Sequence, residues 1–280
     1  MKFGAYMFST DYSIRPDDLA RLLKARGFES MWVPEHTHIP AARQTPFPGG
    51  GDLPEMYWHT YDPFVALTAA AAATTSLKLG TGICLMIERD PIITAKEVAS
   101  LDMLSGGRFI FGIGGGWNAE EMGHHGTRYR SRWRLLRERI LAMKEIWTKD
   151  EPEFHGEFVN FDKIWSYPKP VQKPHPPIIM GGDGATTFDR IVEFCDGWMP
   201  ISGRASQGPS LSEKIATLKR QAEGAGRDPA SISITSFGTR PDPDVIQRME
   251  TEGVDRGIFS LPSEKREAVL PIIDRCAKLI

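Results

Sequence analysis

Short apolar runs alternate with segments of helical periodicity along nearly the whole chain. Residues 2–7 form an apolar run with β character, and Leu19, Leu22 and Leu23 follow it at helical spacing before Gly27. Because strands and helices differ in hydrophobic period, this order predicts a β-then-α unit. The same pattern predicts strands at 2–7, 29–33, 77–86, 108–113, 177–180, 197–199, 231–235 and 257–260.

A helix is predicted after each strand. The helical segments span 16–27, 63–75, 90–107, 133–147, 185–195, 210–224, 243–252 and 264–279, and residues 152–175 predict a hairpin-like excursion. Repeated β-then-α units imply a parallel sheet, and at this length they favour a (β/α)8 TIM barrel over a doubly wound sheet. Since no low-complexity linker divides the chain, we expect a single domain over residues 1–280.

Two of the predicted βα loops are much longer than the usual connection of about four to six residues. They follow strands two and four and span 35–59 and 114–129. Barrel enzymes carry their chemistry on the loops at the C-terminal ends of the strands. The sequence therefore predicts insertions after strands 2 and 4, with the site residues among them.

The charge balance restricts the class of partner. The chain has 34 Lys and Arg against 36 Asp and Glu, a net charge of −2. Proteins that bind nucleic acid or anionic membranes show a basic excess, so a small-molecule partner is favoured. The most apolar stretch, 64–73, is shorter than the roughly 20 residues of a membrane span, and the N-terminus shows no signal-peptide pattern. Three widely separated cysteines predict reduced thiols and a cytoplasmic location.

His36 comes about three residues after the second predicted strand, in the sequence Glu35-His36-Thr37-His38. A histidine at a barrel mouth suits proton transfer near neutral pH, although a histidine that only bonds a neighbouring loop would look the same. The His-x-His pair also fits a metal hydrolase. Such a site needs ligands on later strands, where only Asp183 lies near, so we expect no metal.

The rest of the second loop mixes proline, a triple glycine and the aromatic run Tyr57, Trp58 and His59. A mobile lid with an aromatic wall has this composition, and so does a plain surface excursion. Under the first interpretation, these three residues line the substrate pocket.

Glycine-rich segments follow strands four and five. Glycines at 112 and 114–116 let the backbone approach a ligand closely, but their spacing fits the dinucleotide fingerprint poorly and no Gly-Lys-Ser/Thr motif occurs. Residues 181–187 place glycines and hydroxyls before a helix, which suits a phosphate cradle or an ordinary turn.

Several segments together resemble the bacterial-luciferase-like family of flavin and deazaflavin oxidoreductases. They read YMFST, WVPEHTH, DPFVALTAAAAATTSLKLGTGICLM, RDPIITAKEVASLDMLSGGRFIFGIGGGWNAEEMGHHG and PIIMGGDGATTFDRIVEFCDGW, and cover roughly residues 1–200. TPFPGGGDLP and GIGGGWNAEE are more narrowly similar to the coenzyme F420-dependent branch.

The resemblance implies a (β/α)8 barrel, usually a homodimer, with a cofactor across its C-terminal mouth. It implies that His36 lies near the reactive ring and that Gly82-Ile83 matches a position where the family often has a non-proline cis peptide. The implied cofactor-binding residues are Gly82, Ile83, Gly115, Trp117, Asn118, Gly181, Gly182, Gly184, Ala185 and Thr186.

One difference from the family limits which of its reactions the resemblance implies for this chain. Some F420 enzymes of the family have a catalytic glutamate directly after strand four, where this chain has glycines and the nearest acids are Glu120 and Glu121. This points away from sugar-phosphate dehydrogenation. The leading hypothesis is an F420-dependent oxidoreductase in which His36 handles the proton. The alternatives are an FMN-dependent monooxygenase and a binding protein without catalysis.

Overall fold

Parallel strands close into a barrel in the computed structural model, which describes residues 1–202 and 208–280. The strands are β1 (Lys2–Tyr6), β2 (Ser30–Val33), β3 (Lys78–Thr81), β4 (Phe109–Ile113), β5 (Phe154–His155), β6 (Asn160–Phe161), β7 (Ile178–Gly181), β8 (Gly197–Met199), β9 (Ser233–Thr239) and β10 (Arg256–Ser260). The barrel order is β1-β10-β9-β8-β7-β4-β3-β2, and β5 and β6 form a separate antiparallel hairpin. The predicted (β/α)8 fold is confirmed.

Helices connect the strands, and several of them begin at a side chain that caps the first turn. They are α1 (Pro16–Ala25), α2 (Met56–His59), α3 (Pro63–Ala73), α4 (Pro91–Ser105), α5 (Ala119–His124), α6 (Arg132–Thr148), α7 (Thr187–Phe194), α8 (Leu211–Gly224), α9 (Pro243–Glu252) and α10 (Arg266–Ala277). Asp62 and Asp90 cap α3 and α4, and each precedes a proline at the first helical position. No helix in the described ranges is long and apolar enough to cross a membrane.

The strands are apolar on both sides because the barrel has two cores. In β1 the side chains of Phe3 and Ala5, and that of Met7 directly after it, pack outward against the helices. A smaller interior cluster contains Trp32, Ile110, Ile179, Met199 and Ile258, with Tyr6, Ile83 and Phe237 packed on it. The inner residues fill the barrel, so ligands are restricted to its mouth.

Both predicted insertions are present. The segment between β2 and α3 contains α2, and the segment between β4 and α6 contains α5, neither of which the sequence predicted as a helix. The hairpin-like excursion predicted over 152–175 contains the short β5–β6 hairpin.

The third predicted strand is too long, and the seventh predicted strand begins too early. The third ends at Thr81 rather than at residue 86, because the chain turns there and Cys84 forms an isolated bridge with Ile113. The seventh begins at Ser233 because Pro229–Ser231 forms a 3-10 turn. Residues 203–207, within the loop after β8, lie outside the described residues.

The closest approach between β3 and β4 depends on Gly112. A Cβ atom there would overlap the backbone oxygen of Thr81, which cannot move without breaking the barrel ladder. We expect Gly112→Ala to lower the free energy of unfolding by about 1–3 kcal/mol or more. Gly224→Ala is the control, because a Cβ at the end of α8 meets no atom within 4 Å. Urea unfolding compares the two variants, and equal stabilities would contradict this account of the strand contact.

Candidate active site

His36 forms a buried pair with Glu121. Nδ1 of His36 lies 2.8 Å from Oε2 of Glu121, and the two side chains are 6% and 1% exposed. The backbone N–H of Thr37 donates to Oε1 of the same carboxylate at 3.2 Å. Both oxygens of Glu121 therefore hold the loop that carries His36, and a carboxylate on Nδ1 fixes the orientation and tautomer of the ring.

Helix α5 places Glu121 at this position. Asn118 is its N-cap, and its side-chain oxygen accepts from the backbone N–H of Glu121 at 3.3 Å. An Asn cap with an acid three residues later is typical of a helix start, and the acid suits the positive end of the helix dipole. Glu121, one of the two acids that the sequence showed nearest to the end of strand four, thus contacts His36 from the first turn of a short helix.

Glu35 anchors the other side of the His36 loop. Its carboxylate accepts from the backbone N–H of Leu85 at 2.6 Å and from Nε of Arg89 at 2.6 Å. Arg89 also pairs with Glu97 at 3.0 Å and with Asp62. Because Leu85 and Arg89 follow β3, this network ties the second βα loop to the third and holds His36 between them.

Aromatic rings surround His36. Its ring centroid lies 5.2 Å from that of Tyr57 and 5.8 Å from that of Trp117. Phe47 packs edge-on against both Tyr57 and Trp117, at 5.2 and 5.9 Å. The long loop after β2 therefore supplies an aromatic wall, which the sequence predicted through Tyr57 but not through Phe47.

The two other predicted pocket residues lie elsewhere on this segment. The ring of Trp58 is half exposed. His59 bonds Asp11 at 2.9 Å and packs edge-on against Tyr12. The structure thus brings Tyr57 to His36, while His59 contacts the loop after β1 and Trp58 packs on His59.

The same loop is fastened to the start of α5. The carboxylate of Glu120 accepts from the backbone N–H groups of Gln44 and Thr45 at 3.1 Å each. The hydroxyl of Thr45 in turn accepts from the backbone N–H of Ala119 at 3.3 Å. The hydrogen bond with Thr45 and the backbone bonds hold the pKa of Glu120 below its usual value. Consecutive glutamates of α5 thus hold the loop after β2 at two places, near His36 and at residues 44 and 45.

The floor of the mouth is apolar. Tyr6 stacks on Phe237 with ring centroids 4.1 Å apart, and both are partly exposed above the barrel core. Ile83 packs beside them, and the Gly82–Ile83 peptide bond is cis, as the resemblance implied. A flat ring system can lie on such a floor.

The glycines at the strand ends make room for protein side chains. A Cβ at Gly114 or at Gly181 would overlap Ile83, and a Cβ at Gly115 would overlap the ring of Trp133. Gly114 and Gly181 therefore support the floor, because they leave room for Ile83 between β4 and β7. The sequence predicted bare backbone for a cofactor at these positions.

The loop after β7, unlike the glycines at 114, 115 and 181, has free space around Gly182. Gly182 has a φ of +114°, and a Cβ there would meet no atom within 4 Å. The N–H of Gly184 donates to the hydroxyl of Thr187, and Thr186 forms no side-chain cap, which leaves first-turn N–H groups of α7 without a capping side chain. Such N–H groups and the helix dipole favour an anion.

A cavity of about 560 Å³ adjoins this loop. Its lining includes Gly182, Trp198, Ser202, Lys214, Ser236 and Arg248. Lys214 pairs with Asp183 at 2.5 Å, so the negative charge of this acid beside the loop is compensated. Ala185 lies in the same turn before α7.

Buried polar atoms at the mouth fit a bound cofactor. The amide nitrogen of Asn118 and the hydroxyl of Ser9 are buried and have no hydrogen-bond partner among the described residues. Such atoms cost free energy unless a ligand or water satisfies them. Together with the apolar floor and the open loop at Gly182, they match the requirements of a flat ring with a phosphorylated tail.

The histidines near the mouth do not form a metal centre. Within residues 1–202 and 208–280 no group of three or more His, Cys, Asp or Glu side chains is arranged to hold a metal ion. His38 and His124 instead stack and bond each other, with Nε2 and Nδ1 2.8 Å apart.

Sequence reasoning missed Glu121, Phe47, Tyr6 and Phe237 as site residues. Two signals were available: the Asn-x-x-Glu spacing at 118–121 marks a helix start, and period-two alternation makes Tyr6 an inward residue at a strand end. Phe47 and Phe237 carried no such signal.

Comparison with known proteins places the chain in a family. The family described as luciferase-like monooxygenase matches residues 15–240. A Mycobacterium tuberculosis protein is 38% identical over 281 residues, which cover 99% of this chain and 98% of the relative. The FMNH(2)-dependent dimethylsulfone monooxygenase of Pseudomonas putida is 31% identical over 172 residues, which cover 60% of this chain and 46% of that enzyme.

A solved structure shares the whole fold. The F420-dependent secondary alcohol dehydrogenase, solved in complex with an F420-acetone adduct, superposes with a TM-score of 0.75 at 19% identity. The match covers 100% of this chain and 98% of that one. On the sequence matches, the chain belongs to the luciferase-like monooxygenase family.

Proposed function

We propose that the protein is a coenzyme F420-dependent oxidoreductase that transfers hydride to or from a small organic substrate. One observation carries the proposal: the buried His36–Glu121 pair, at 2.8 Å, places an oriented proton carrier beside an aromatic-walled mouth. A hydride transfer to a carbonyl, or from an alcohol, needs a proton carrier at the reacting oxygen. The full-length similarity to an F420-dependent alcohol dehydrogenase supports this choice.

The residues at the mouth fit such a cofactor. Its ring would lie on Ile83 and Phe237 near Trp117, and Asn118 would bond its polar edge. Its phosphate would bind at the loop 181–186, beside Lys214. When bound, a deazaflavin supplies the hydride acceptor or donor, while the protein orients the reactants and excludes water.

His36 would hold and move the proton through its other ring nitrogen. Because Glu121 accepts a hydrogen bond from Nδ1, Nε2 is the nitrogen that takes up or releases a proton. The carboxylate stabilises the imidazolium that forms when Nε2 takes a proton, and it keeps the ring in place when the proton leaves. Tyr57 and Phe47 cover the ring and keep water away.

An FMN-dependent monooxygenase is the second candidate. The observation that favours it is the 31% identity to an enzyme that uses reduced FMN, which covers 60% of this chain. The same floor and loop would hold the flavin. In that case His36 would act in the reaction of the reduced flavin with oxygen, and not in a hydride transfer to or from an organic substrate.

Cofactor titration separates the two candidates. Purified protein is titrated with F420 and with FMN, and binding is followed by fluorescence. We expect saturable binding of F420 that is tighter than binding of FMN. Tight FMN binding without F420 binding would overturn the proposal in favour of the monooxygenase.

Replacing His36 tests its role in the same enzyme. We expect His36→Asn to lower F420-linked turnover of small alcohols and ketones by at least about 100-fold, with F420 affinity nearly unchanged, because the proton carrier is lost and the binding surface is kept. His155→Asn is the control, since that exposed ring lies on the β5–β6 hairpin. Unchanged turnover in His36→Asn would remove the proposed role. Cofactor binding without any turnover in wild type would favour a binding protein.

We also propose that the protein is a homodimer joined through α3 and α4. These helices pack side by side, and Val65, Ile93 and Leu104 on them are 69%, 62% and 70% exposed. Exposed apolar patches of this kind mark interfaces, and a two-fold axis would bury the same patch on both copies.

Sedimentation tests the dimer. We expect wild type to sediment as a dimer and the double variant Val65→Asp with Ile93→Asp as a monomer, because a charge in an apolar interface is unpaired. Ile280→Asp is the control, since Ile280 is also exposed but lies beyond α10 and not on either helix. A monomeric wild type, or a double variant that stays dimeric, would contradict this interface.

The proposal includes a cytoplasmic location. Cys84, Cys195 and Cys276 are buried free thiols. Unpaired cysteines are typical of proteins in a reducing compartment.

A further inference from the structure

Six arginines lie between residues 128 and 139, at and just before the start of α6. Three of them have partners within the protein. Arg134 pairs with Glu157 at 2.6 Å, Nε of Arg137 donates to Glu193 at 2.7 Å, and Arg139 donates to a backbone oxygen. Among the described residues the other three form no ion pair with an acid, and they are Arg128, Arg130 and Arg132.

Arg132 meets a further arginine, Arg190 of α7, on the ring of Trp133. The guanidinium carbon of Arg190 lies 4.2 Å from the centroid of this ring, and that of Arg132 lies 5.3 Å from it. Arg132 also lies over the ring of Tyr129 at 3.7 Å. A guanidinium that stacks on an aromatic face keeps its N–H groups available in its own plane. Arg132, Trp133 and Arg190 are called the arginine platform below.

The charges of the arginine platform are not neutralised by the protein. Arg190 donates to the backbone oxygen of Thr186 at 3.1 Å, and Arg132 donates to that of Tyr129 at 2.8 Å. Nε of Arg132 is buried and has no hydrogen-bond partner in the part of the chain that the structure describes. Neither guanidinium forms an ion pair with an acid of that part. Two cations on one ring repel each other, so an anion bound between them would lower their free energy.

Burial affects Arg190 in the same sense. It lowers the pKa of this guanidinium, and the charge of Arg132 acts in the same direction, although Asp189 opposes both. A partly desolvated cation gains more from a bound anion than a cation in water does.

The arginine platform lies beside the loop to which we assigned the cofactor phosphate. Arg190 bonds Thr186, the last residue of the loop 181–186, and the ring of Trp133 packs where a Cβ at Gly115 would overlap it. The platform is therefore at the end of β4 and the start of α7. Lys214, the cation assigned to the phosphate, comes from α8 instead. The two sets of cations are distinct, and each adjoins the same loop.

We propose that the arginine platform binds the carboxylates of the F420 tail, beyond the phosphate. This rests on the proposed function, in which F420 is the cofactor. F420 continues past its phosphate into a chain that carries glutamate carboxylates, whereas FMN ends at its phosphate. Arginine binds a carboxylate through two parallel N–H···O bonds, which makes it the suitable cation for such a tail. The arginine platform thus distinguishes F420 from FMN by charge, at a distance from the reactive ring.

A comparison of two deazaflavins tests the proposal. Fluorescence titration measures the affinity of the protein for F420 and for the same deazaflavin cut back to its phosphate. We expect wild type to bind F420 at least about tenfold more tightly, because a hydrogen bond to a charged group is worth that much in affinity. We expect this difference to shrink at about 1 M salt, where charges are screened within a few ångströms.

Replacing the arginines removes the difference. We expect Arg132→Gln and Arg190→Gln each to lower the affinity for F420 by about tenfold and to leave the affinity for the shortened deazaflavin unchanged. Unchanged binding of the shortened compound also shows that the mouth of each variant is folded. Arg190→Lys keeps the charge but loses the planar pair of donors, so it retains part of the preference for F420.

Arg134→Gln is the matched control. Arg134 also belongs to α6, but it pairs with Glu157 and lies outside the arginine platform, so we expect its affinity for F420 to stay at the wild-type value. A loss of F420 affinity in Arg134→Gln as large as that in Arg190→Gln would overturn the proposal, because overall charge would then explain both.

Three further results would overturn the tail subsite. If wild type binds both deazaflavins equally, the tail makes no contact, and the proposed function still stands. If Arg132→Gln and Arg190→Gln weaken both compounds equally, the two arginines serve the phosphate and not the tail. If wild type binds neither compound, the proposed function fails and the tail subsite fails with it.

Discussion

The hydrogen bond between Nδ1 of His36 and Glu121 joins the two insertions of the barrel into one site. His36 lies on the loop after β2 and Glu121 on the helix after β4, so the pair forms only when both insertions are folded. The bond is buried, and a buried carboxylate persists only when it is paired and hydrogen-bonded. Thr37 supplies the further bond through its backbone N–H. The geometry of the mouth therefore depends on the start of α5.

The rest of the mouth is arranged around this pair. Glu120 fixes the aromatic loop to the same turn of helix that carries Glu121, so the aromatic wall and the His36–Glu121 pair are attached to one element. Below them, Gly114 and Gly181 allow Ile83 to form the floor. The barrel supplies rigid strand ends, and the loops and the capped start of α5 position the side chains at its mouth, as is common in this fold.

The local pattern of apolar residues predicted the barrel well, because strands and helices each have a characteristic hydrophobic period that can be read from the sequence. It also placed His36 at the mouth, since a residue just after a strand must lie there. It could not place Glu121 beside His36, because that contact spans 85 positions and depends on how a short helix folds back. For the same reason it assigned Trp58 and His59 to the pocket with Tyr57, although only the structure shows which way each ring turns.

Glu121 orients the ring of His36 through Nδ1. The tautomer of His36 tests this contact, and it can be read from the ring nitrogen shifts by NMR at a pH where the ring is neutral. We expect the Nδ1–H tautomer in wild type and a mixture of tautomers in Glu121→Ala, where the acceptor is gone. An Nε2–H tautomer in wild type, with Nδ1 unprotonated, would contradict it.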